Sequence, residues 1–312
     1  MSKVFTRRFV GRVLYAGSAA LLPNVASAQG WAPGIGQLVD SVESQYNNIF
    51  VYRSGPIFTM TFGHNRRIFT ESVYDSRDPR LLPVEYTRFM TTAVAYVRNP
   101  SSILQIGLGG GRTSWYLHLH MAEATIEVAE IDPAVVDLAQ KYFGIRPNTR
   151  FHIEAVDGRL YITRSRMNYD MILIDAYRGP FVPFHLLTRE FYQLVSSRLK
   201  PGGIVAQNVE PSTMVFDGAI ATMRAVFRQV DMFPAGGNVV IVGYNADQRI
   251  PQSTLHEQAA ILQRQYQFRH PLPELVAGRR VLAESVQSKV LTDDFAPVEA
   301  MRAIERYNRK WE

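Results

Sequence analysis

Short apolar runs separated by turn residues characterise the chain before residue 84. The runs are rich in β-branched and aromatic side chains, which predicts short strands. They occupy residues 49–52, 57–62 and 67–70. Turn-forming tripeptides separate them, namely Ser54-Gly55-Pro56 and Gly63-His64-Asn65. Residues 37–83 are therefore predicted to form a small antiparallel β unit.

From residue 101 onward, apolar runs of strand length alternate with segments of helical periodicity, a pattern that predicts a parallel sheet. The predicted strands are residues 103–106, 125–129, 151–156, 169–174, 204–206, 230–234 and 238–244. An apolar periodicity typical of a helix precedes them at 84–98. We assign residues 84–249 to an α/β domain with a Rossmann-like, seven-stranded sheet. Residues 250–312 are predicted to be a helical extension.

The first 28 residues have the three parts of a secretory signal peptide. A basic stretch ends at Arg12, an apolar run follows at 13–22, and Ala26-Ser27-Ala28 is a small-x-small cleavage site. The apolar run is shorter than a membrane span requires. We therefore expect export to the periplasm or the medium and no stable membrane span after cleavage. Arg7-Arg8 keeps the twin-arginine route open, ranked below ordinary secretion.

Composition and charge exclude several classes of protein. The chain has no Cys, which excludes disulfides, thiolate metal sites and a cysteine nucleophile. The net charge is +6, but residues 1–28 supply four of these charges through one Lys and three Arg, with no acid. The remainder is too weakly basic for the electrostatic footprint of a nucleic-acid-binding protein. No metal site is expected, because His118 and His120 point to different faces of a predicted helix.

Glycines and acids stand at the ends of successive predicted strands. Ligands bind beyond the carboxyl ends of strands in an open parallel sheet. The residues at these ends are Gly107 and Gly109, Glu130, Asp157 and Gly158, and Asp175. A glycine turn lets a ligand approach the start of the next helix, and an acid about 20 residues later suits ribose hydroxyls. Together they indicate a nucleoside site.

These residues also have two simpler interpretations. An acid at a strand end can merely cap the following helix, and Asp132, followed by Pro133, is assigned that role. NAD binding competes for the glycine turn, but that pattern requires a glycine where Arg112 stands. The sequence around Asp157 and Asp175 suits a Rossmann-like, seven-stranded, methyltransferase-type sheet that binds S-adenosyl nucleotides better, so an S-adenosyl nucleotide is the preferred ligand.

Several sequence blocks between residues 45 and 245 resemble the spermidine synthase (polyamine aminopropyltransferase) family. They are Ile106-Gly107-Leu108-Gly109-Gly110-Gly111, Glu130-Ile131-Asp132, Asp157-Gly158, Tyr169-Asp170 with Asp175, Leu187-Thr188-Arg189-Glu190-Phe191-Tyr192 and Leu199-Lys200-Pro201-Gly202-Gly203. The tail at 291–299 resembles that of spermidine-synthase-like proteins.

The resemblance implies a reaction and a set of roles. The family moves an aminopropyl group from decarboxylated S-adenosylmethionine to an amine. That amine is mostly protonated at neutral pH, since its pKa is near that of Lys, about 10.4, so a base must take its proton. By resemblance, Asp175 is the base, Glu130 holds the ribose, Asp157 holds the adenine amino group, and Gln207 stands at a pocket position.

The chain departs from the family on the amine side. Gly110 replaces an acid that holds the aminopropyl ammonium, and Arg178 replaces an acid that faces the diamine. A cation there would repel a cationic diamine. Tyr177 is expected to stack on a ligand or simply to pack. Asp293 and Asp294 are candidates to replace the lost acids if the tail folds over the site.

Three functions remain open from the sequence. The first is an aminopropyltransferase with a divergent acceptor site and decarboxylated S-adenosylmethionine as co-substrate. The second is an S-adenosylmethionine-dependent methyltransferase, although Gln105 stands where that motif wants an acid. The third is a non-catalytic exported protein that binds nucleosides or polyamines. The expected partner is a small-molecule amine, with no nucleic acid, and a homodimer is left open.

Overall fold

A computed structural model describes residues 36–64, 67–178, 181–213, 215–281 and 288–294. The predicted signal peptide, residues 1–28, lies outside these ranges, as does most of the predicted tail at 291–299. Within the described ranges, no helix is both long and apolar enough to cross a membrane.

The N-terminal unit is a four-stranded antiparallel sheet with strand order β1-β2-β3-β4. Its strands are β1 (Gln37–Glu43), β2 (Asn48–Ser54), β3 (Ile57–His64) and β4 (Arg67–Asp75). The three predicted strands are confirmed as β2, β3 and β4. Strand β1 was not predicted, because it is an exposed edge strand and carries little apolar signal.

The connection between the two sheets is helical, as predicted, but it changes type midway. Helix α1 (Glu85–Met90) continues as a 3₁₀ segment at Thr91–Tyr96. The hydroxyls of Thr91 and Thr92 donate to the carbonyl oxygens three residues earlier, each at 2.6 Å. Such bonds to the preceding turn compete with the regular α-helical pattern.

The large sheet has eight strands in the order β12-β10-β11-β9-β8-β5-β6-β7. They are β5 (Ser102–Ile106), β6 (Thr125–Glu130), β7 (Phe151–Ala155), β8 (Tyr169–Ile174), β9 (Leu199–Val209), β10 (Gln229–Ala235), β11 (Asn238–Tyr244) and β12 (Arg280–Val281). Strands β5 to β9 are parallel, and the remaining pairings are antiparallel. The α/β class and the seven predicted strands are confirmed, and β12 adds an eighth at the edge.

Two details of the large sheet differ from the prediction. Strand β9 begins at Leu199, five residues before the predicted start at 204, and runs through Pro201-Gly202-Gly203. An irregular register opposite β8 accommodates these residues, with Gly202 at φ 78°. Strand β12 comes from the extension that was predicted to be helical, and it pairs with Asp231 and Met232 of β10.

Seven helices follow α1 in the part of the chain that the structure describes. They are α2 (Arg112–His120), α3 (Pro133–Tyr142), α4 (Gly158–Arg164), α5 (Arg189–Ser197), α6 (Phe216–Val226), α7 (Gln252–Tyr266) and α8 (Leu272–Ala277). Asp132 caps α3 as predicted, since its side chain accepts from the Ala134 N–H at 3.0 Å. Helix α4 was not predicted, because seven residues give too short a period to recognise.

Two hydrophobic cores cover the two faces of the large sheet, and alternate residues of each strand enter opposite cores. In β8, Met171 and Leu173 enter one core, and Ile172 and Ile174 enter the other. The first core also contains buried residues of the N-terminal sheet, among them Val51. The small sheet is therefore anchored beside the large one, with β4 next to the carboxyl ends of its strands.

Candidate active site

A cavity of about 380 Å³ lies at the carboxyl ends of the parallel strands. Its floor is formed by the residues that follow β5, β6, β7 and β8, as expected for an open parallel sheet. Strand β4 and helix α1 add one wall, and residues 176–178 and 183–186 add another. The structure thus brings most of the sequence-predicted site residues together. Those lining the cavity are Gly107, Gly109, Glu130, Asp157, Gly158, Asp175, Tyr177 and Arg178.

The glycine turn is shaped by contact with the end of β8. Gly107 has φ 87°, and a Cβ added there would lie 2.3 Å from the carbonyl oxygen of Asp175. Both the backbone angle and the contact exclude any side chain at this position. The turn therefore sits directly against the backbone of Asp175, which holds the proposed base beside the nucleoside site.

Glu130 is tied to the backbone on both sides of the cavity floor. Its two carboxyl oxygens accept from the N–H groups of Leu108, at 2.7 Å, and Asp132, at 2.9 Å. Burial raises the pKa of Glu130, and these backbone donors oppose that rise. A carboxylate offers about four acceptor positions, so Glu130 keeps capacity for a ligand hydroxyl while it fixes the glycine turn.

Asp157 has a partner that the sequence did not reveal. One carboxyl oxygen accepts from the Leu160 N–H at 2.9 Å and so caps α4, and the other lies 2.9 Å from Nε2 of His185. The contact with His185 lowers the pKa of Asp157. Asp157 therefore caps α4 and lines the cavity at the same time, so the two interpretations of this acid are compatible. His185 lies 28 residues away in a short 3₁₀ segment (Phe184–Leu186), where no local pattern marks it.

Asp175 follows β8 and is held by side-chain donors. The Nδ2 of Asn208 donates to its carboxylate at 3.0 Å, and Tyr86 adds a second side-chain hydrogen bond. Asn238 donates to Oδ1 of Asn208 at 2.9 Å, which turns the amide nitrogen of Asn208 toward Asp175. Burial raises the pKa of Asp175 to about 6, although both donors oppose the rise.

Glu71 of β4 adds a carboxylate that the sequence analysis did not identify. It lines the cavity together with Glu130 and Asp175. Burial raises the pKa of Glu71 well above its usual range, and the charges of Asp175 and Glu130 raise it further. The hydroxyl of Tyr86, on α1, lies 3.3 Å from the Glu71 carbonyl oxygen. No sequence signal marks Glu71, because its strand is distant along the chain.

Tyr177 and Arg178 lie on the wall opposite β4. The Arg178 N–H donates to the carbonyl oxygen of Phe181 at 2.8 Å, and the Arg178 side chain is exposed at the cavity rim. Burial raises the pKa of Tyr177 well above its usual range, so its hydroxyl stays neutral. Arg178 is thus solvated, which weakens the repulsion of an amine expected from the sequence.

Gln207 does not line the cavity. It is fully buried, and its Oε1 accepts from the hydroxyl of Tyr192 at 2.6 Å. Its Nε2 donates to the carbonyl oxygen of Leu186, a cavity residue, at 3.4 Å. Successive residues of a strand point to opposite faces, so it is the neighbouring Asn208 that reaches Asp175. The expected pocket role of Gln207 is corrected to support of the wall.

The tail acids do not replace the lost family acids. Both oxygens of Asp293 accept from the guanidinium of Arg159, at 2.7 and 2.5 Å, and its N–H donates to Glu190. A bidentate pair with a nearby arginine satisfies that carboxylate away from the cavity. Asp294 is exposed and does not line the cavity either. The expectation that these acids bind the amine is therefore corrected.

Gly110 has no space for the acid that the family carries there. A Cβ at this position would lie 2.7 Å from both the Cβ of Ser72 and Cδ1 of Phe143. Ser72 also accepts from the Gly110 N–H at 2.8 Å. A side chain at Gly110 would therefore clash with Ser72 of β4 and with Phe143. Within the described ranges, no three His, Asp or Glu side chains gather closely enough to bind a metal ion.

Comparisons with known proteins agree with this geometry. A model of the spermine/spermidine synthase domain matches residues 85–235. A polyamine aminopropyltransferase of Vibrio vulnificus is 30% identical over 281 residues, which cover 86% of this chain and 93% of the relative. The chain belongs to the polyamine aminopropyltransferase family. The family resemblance stated from the sequence is confirmed.

Solved structures of the polyamine aminopropyltransferase family and of a methyltransferase share the fold. The spermidine synthase of Thermotoga maritima superposes with a TM-score of 0.63 at 20% identity, over 80% of this chain and 86% of that chain. Human methyltransferase-like protein 13, in complex with SAH, gives a TM-score of 0.55 at 26% identity, over 64% and 96%. The α/β, methyltransferase-type fold is thus confirmed, and the individual site roles stay predictions.

Proposed function

We propose that this protein transfers the aminopropyl group of decarboxylated S-adenosylmethionine to a small amine. The observation that carries the proposal is the position of Asp175. This carboxylate stands at the end of β8, against the glycine turn, in a cavity shared with Glu130 and Glu71. Family membership supports the reaction, and the cavity supplies a base at the point where it is needed.

The proposed step is an in-line displacement. The lone pair of the amine nitrogen attacks the aminopropyl carbon beside the sulfonium, and the C–S bond breaks. Sulfur keeps the bonding pair and becomes neutral in methylthioadenosine. The proton that the amine loses passes to Asp175. A cavity that aligns nitrogen, carbon and sulfur removes most of the entropic barrier to this step.

The pKa of Asp175 suits this role. A general base works best with a pKa close to the operating pH, and burial brings that of Asp175 to about 6. At neutral pH the carboxylate is mostly ionised, yet it retains more affinity for a proton than an exposed Asp. Asn208 and Tyr86 hold it in one orientation.

The electrostatics of the cavity favour cationic ligands. Three carboxyl groups share its surface, Glu130 buried and Glu71 and Asp175 half-buried, and the pKa values of all three are raised. Negative charge gathered at a poorly solvated surface is costly. A sulfonium donor and a protonated amine would both relieve that cost, and the half-buried, neutral Tyr86 and Tyr177 give the amine an aromatic wall.

The test is a transfer assay with the full chain, decarboxylated S-adenosylmethionine and a panel of amines that includes putrescine. We expect methylthioadenosine to appear in step with an aminopropylated amine. Asp137→Asn, an exposed change on α3, is the matched control for Asp175→Asn. Absence of methylthioadenosine with every amine would refute the proposal.

Methyl transfer is the second candidate, favoured by the 26% identical methyltransferase structure and by the lack of an acid at Gly110. The same assay with S-adenosylmethionine separates the two functions, because methyl transfer releases S-adenosylhomocysteine instead of methylthioadenosine. We expect only methylthioadenosine from the wild type.

A further inference from the structure

Strand β4 passes directly over the glycine turn. The hydroxyl of Ser72 accepts from the Gly110 N–H at 2.8 Å, and it would lie 3.2 Å from a Cβ at Gly109. Glu71, the preceding residue of the same strand, lines the cavity beside this crossing. The acid therefore reaches the cavity from the N-terminal sheet, at the level of the turn that faces the nucleoside.

The carboxylate of Glu71 differs from its two neighbours in having no donor. Glu130 accepts from two backbone N–H groups, and Asp175 accepts from Asn208 and Tyr86. Among the residues that the structure describes, none donates a hydrogen bond or an ion pair to the Glu71 carboxylate, whereas the two other carboxylates repel it. An unpartnered carboxyl group on a cavity wall is favoured in its protonated form while the cavity is empty, and a cation bound beside it would favour the carboxylate.

The position of Glu71 relative to the other acids indicates which cation. It interacts with both Glu130, which is placed at the ribose, and Asp175, which is placed at the reacting carbon. The aminopropyl chain of the donor leaves the nucleoside at the sulfonium and must run through this same space. We propose that Glu71 binds the primary ammonium of the donor, so that β4, and not the glycine turn, selects the decarboxylated donor.

Donor selection follows from charge. Decarboxylated S-adenosylmethionine presents a lone ammonium at the end of its chain, whereas S-adenosylmethionine carries a carboxylate next to that ammonium. Like charges in a site of low dielectric repel strongly, and Glu71 has no described cation beside it to relieve the repulsion. Gly110 cannot share the task, since Ser72 and Phe143 occupy its side-chain space. This inference rests on the proposed function for the identity of the donor.

Calorimetric titration of the full chain with three nucleosides tests the inference. Methylthioadenosine, which lacks both the ammonium and the sulfonium charge, is the reference ligand. The wild type is expected to bind decarboxylated S-adenosylmethionine at least about tenfold more tightly than S-adenosylmethionine. Glu71→Gln is expected to weaken the decarboxylated donor about tenfold or more, with a change of less than about twofold for methylthioadenosine.

Retained binding of methylthioadenosine also shows that the Glu71→Gln protein is folded. Glu154→Gln, an exposed carboxylate on strand β7, is the matched control and should change neither ligand. An unchanged ratio of donor to methylthioadenosine affinity in Glu71→Gln would overturn the inference, as would equal wild-type affinity for the two donors. If the transfer assay is positive in either case, the proposed function stands while the role of Glu71 falls. If donor binding depends on Glu71 but no amine is modified, the role of Glu71 stands and the proposed function falls.

Discussion

The cavity has one half proposed to bind the nucleoside, around Glu130 and Asp157, and one half proposed to bind the amines, around Asp175 and Glu71. The two halves are built in different ways. In the nucleoside half, Glu130 and Asp157 each sit at the end of a strand and bind backbone N–H groups within a few residues or on the adjoining turn. In the amine half, Asp175 is held by Tyr86 and Asn208, and Glu71 comes from the other sheet. Main-chain geometry holds the acids of the first half, and this geometry recurs with the fold. Side chains from distant elements hold the acids of the second half, and these side chains can change independently.

The largest expected effect lies in the amine half, at Asp175. Asp175→Asn removes the base and is expected to lower the transfer rate by about 10²–10⁴-fold, the usual contribution of general base catalysis. Methylthioadenosine binding should stay within about twofold, because the nucleoside half is held separately. Rate and binding are measured by methylthioadenosine release and by calorimetry. A variant that keeps more than about a tenth of the activity would assign the base elsewhere.

The pH profile of the wild type sharpens the same point. Asp175 accepts a proton only as the carboxylate, and its pKa is raised to about 6. On the acidic side of the pH profile, kcat/KM should therefore fall as the pH drops through about 6, and it should become constant at higher pH. An ordinary, unshifted carboxylate would instead keep its activity to about pH 4. A stopped-time assay across pH 5–8 distinguishes the two.

In the nucleoside half, the critical acid is Glu130. Glu130→Ala is expected to weaken methylthioadenosine by about 1–3 kcal/mol, the range for a lost hydrogen bond to a charged group. The same change frees the Leu108 and Asp132 N–H groups, so the midpoint of thermal unfolding should also fall. Glu154→Gln serves again as the control. Unchanged nucleoside affinity in Glu130→Ala would remove this residue from the site.

A smaller effect is expected from the donors to Asp175. Asn208→Ala removes a hydrogen bond that favours the ionised form, so the pKa of Asp175 should rise and the acidic limb should move to higher pH. Activity at neutral pH should drop several-fold. Asn238→Ala, one step further from the carboxylate, should shift the limb in the same direction by less. A shift to lower pH in either variant would contradict this arrangement.

The smallest effect is expected at the rim. Arg178 is exposed, and an exposed pair of charges interacts by only about 1 kcal/mol at 4 Å in water. Arg178→Asp should lower the KM for putrescine several-fold and leave kcat within about twofold, whereas Arg166→Asp, on an exposed loop remote from the cavity, should change neither. A KM for putrescine that Arg178→Asp does not lower would show that this guanidinium stays clear of the amine.

The sequence by itself determined the fold class and identified the residues proposed to bind the nucleoside. Strand-length apolar runs with glycines and acids at their ends are local patterns, and an open parallel sheet gathers such ends at one edge without further information. Gly107, Glu130, Asp157 and Asp175 were found in this way. The family blocks added the proposed reaction for the same reason, since they lie within single strands and turns.

Tertiary structure alone decided which side chains complete the amine half. Glu71 enters from another sheet, and Asn208 replaced Gln207 because a one-residue step along a strand reverses the side-chain direction. Asp293 pairs with Arg159, which lies 134 residues earlier in the chain, and therefore does not line the cavity. Burial, which sets the pKa of Asp175, depends on all these elements packing together. No local pattern records such distances, because they are set by how the two sheets pack and not by neighbours along the chain.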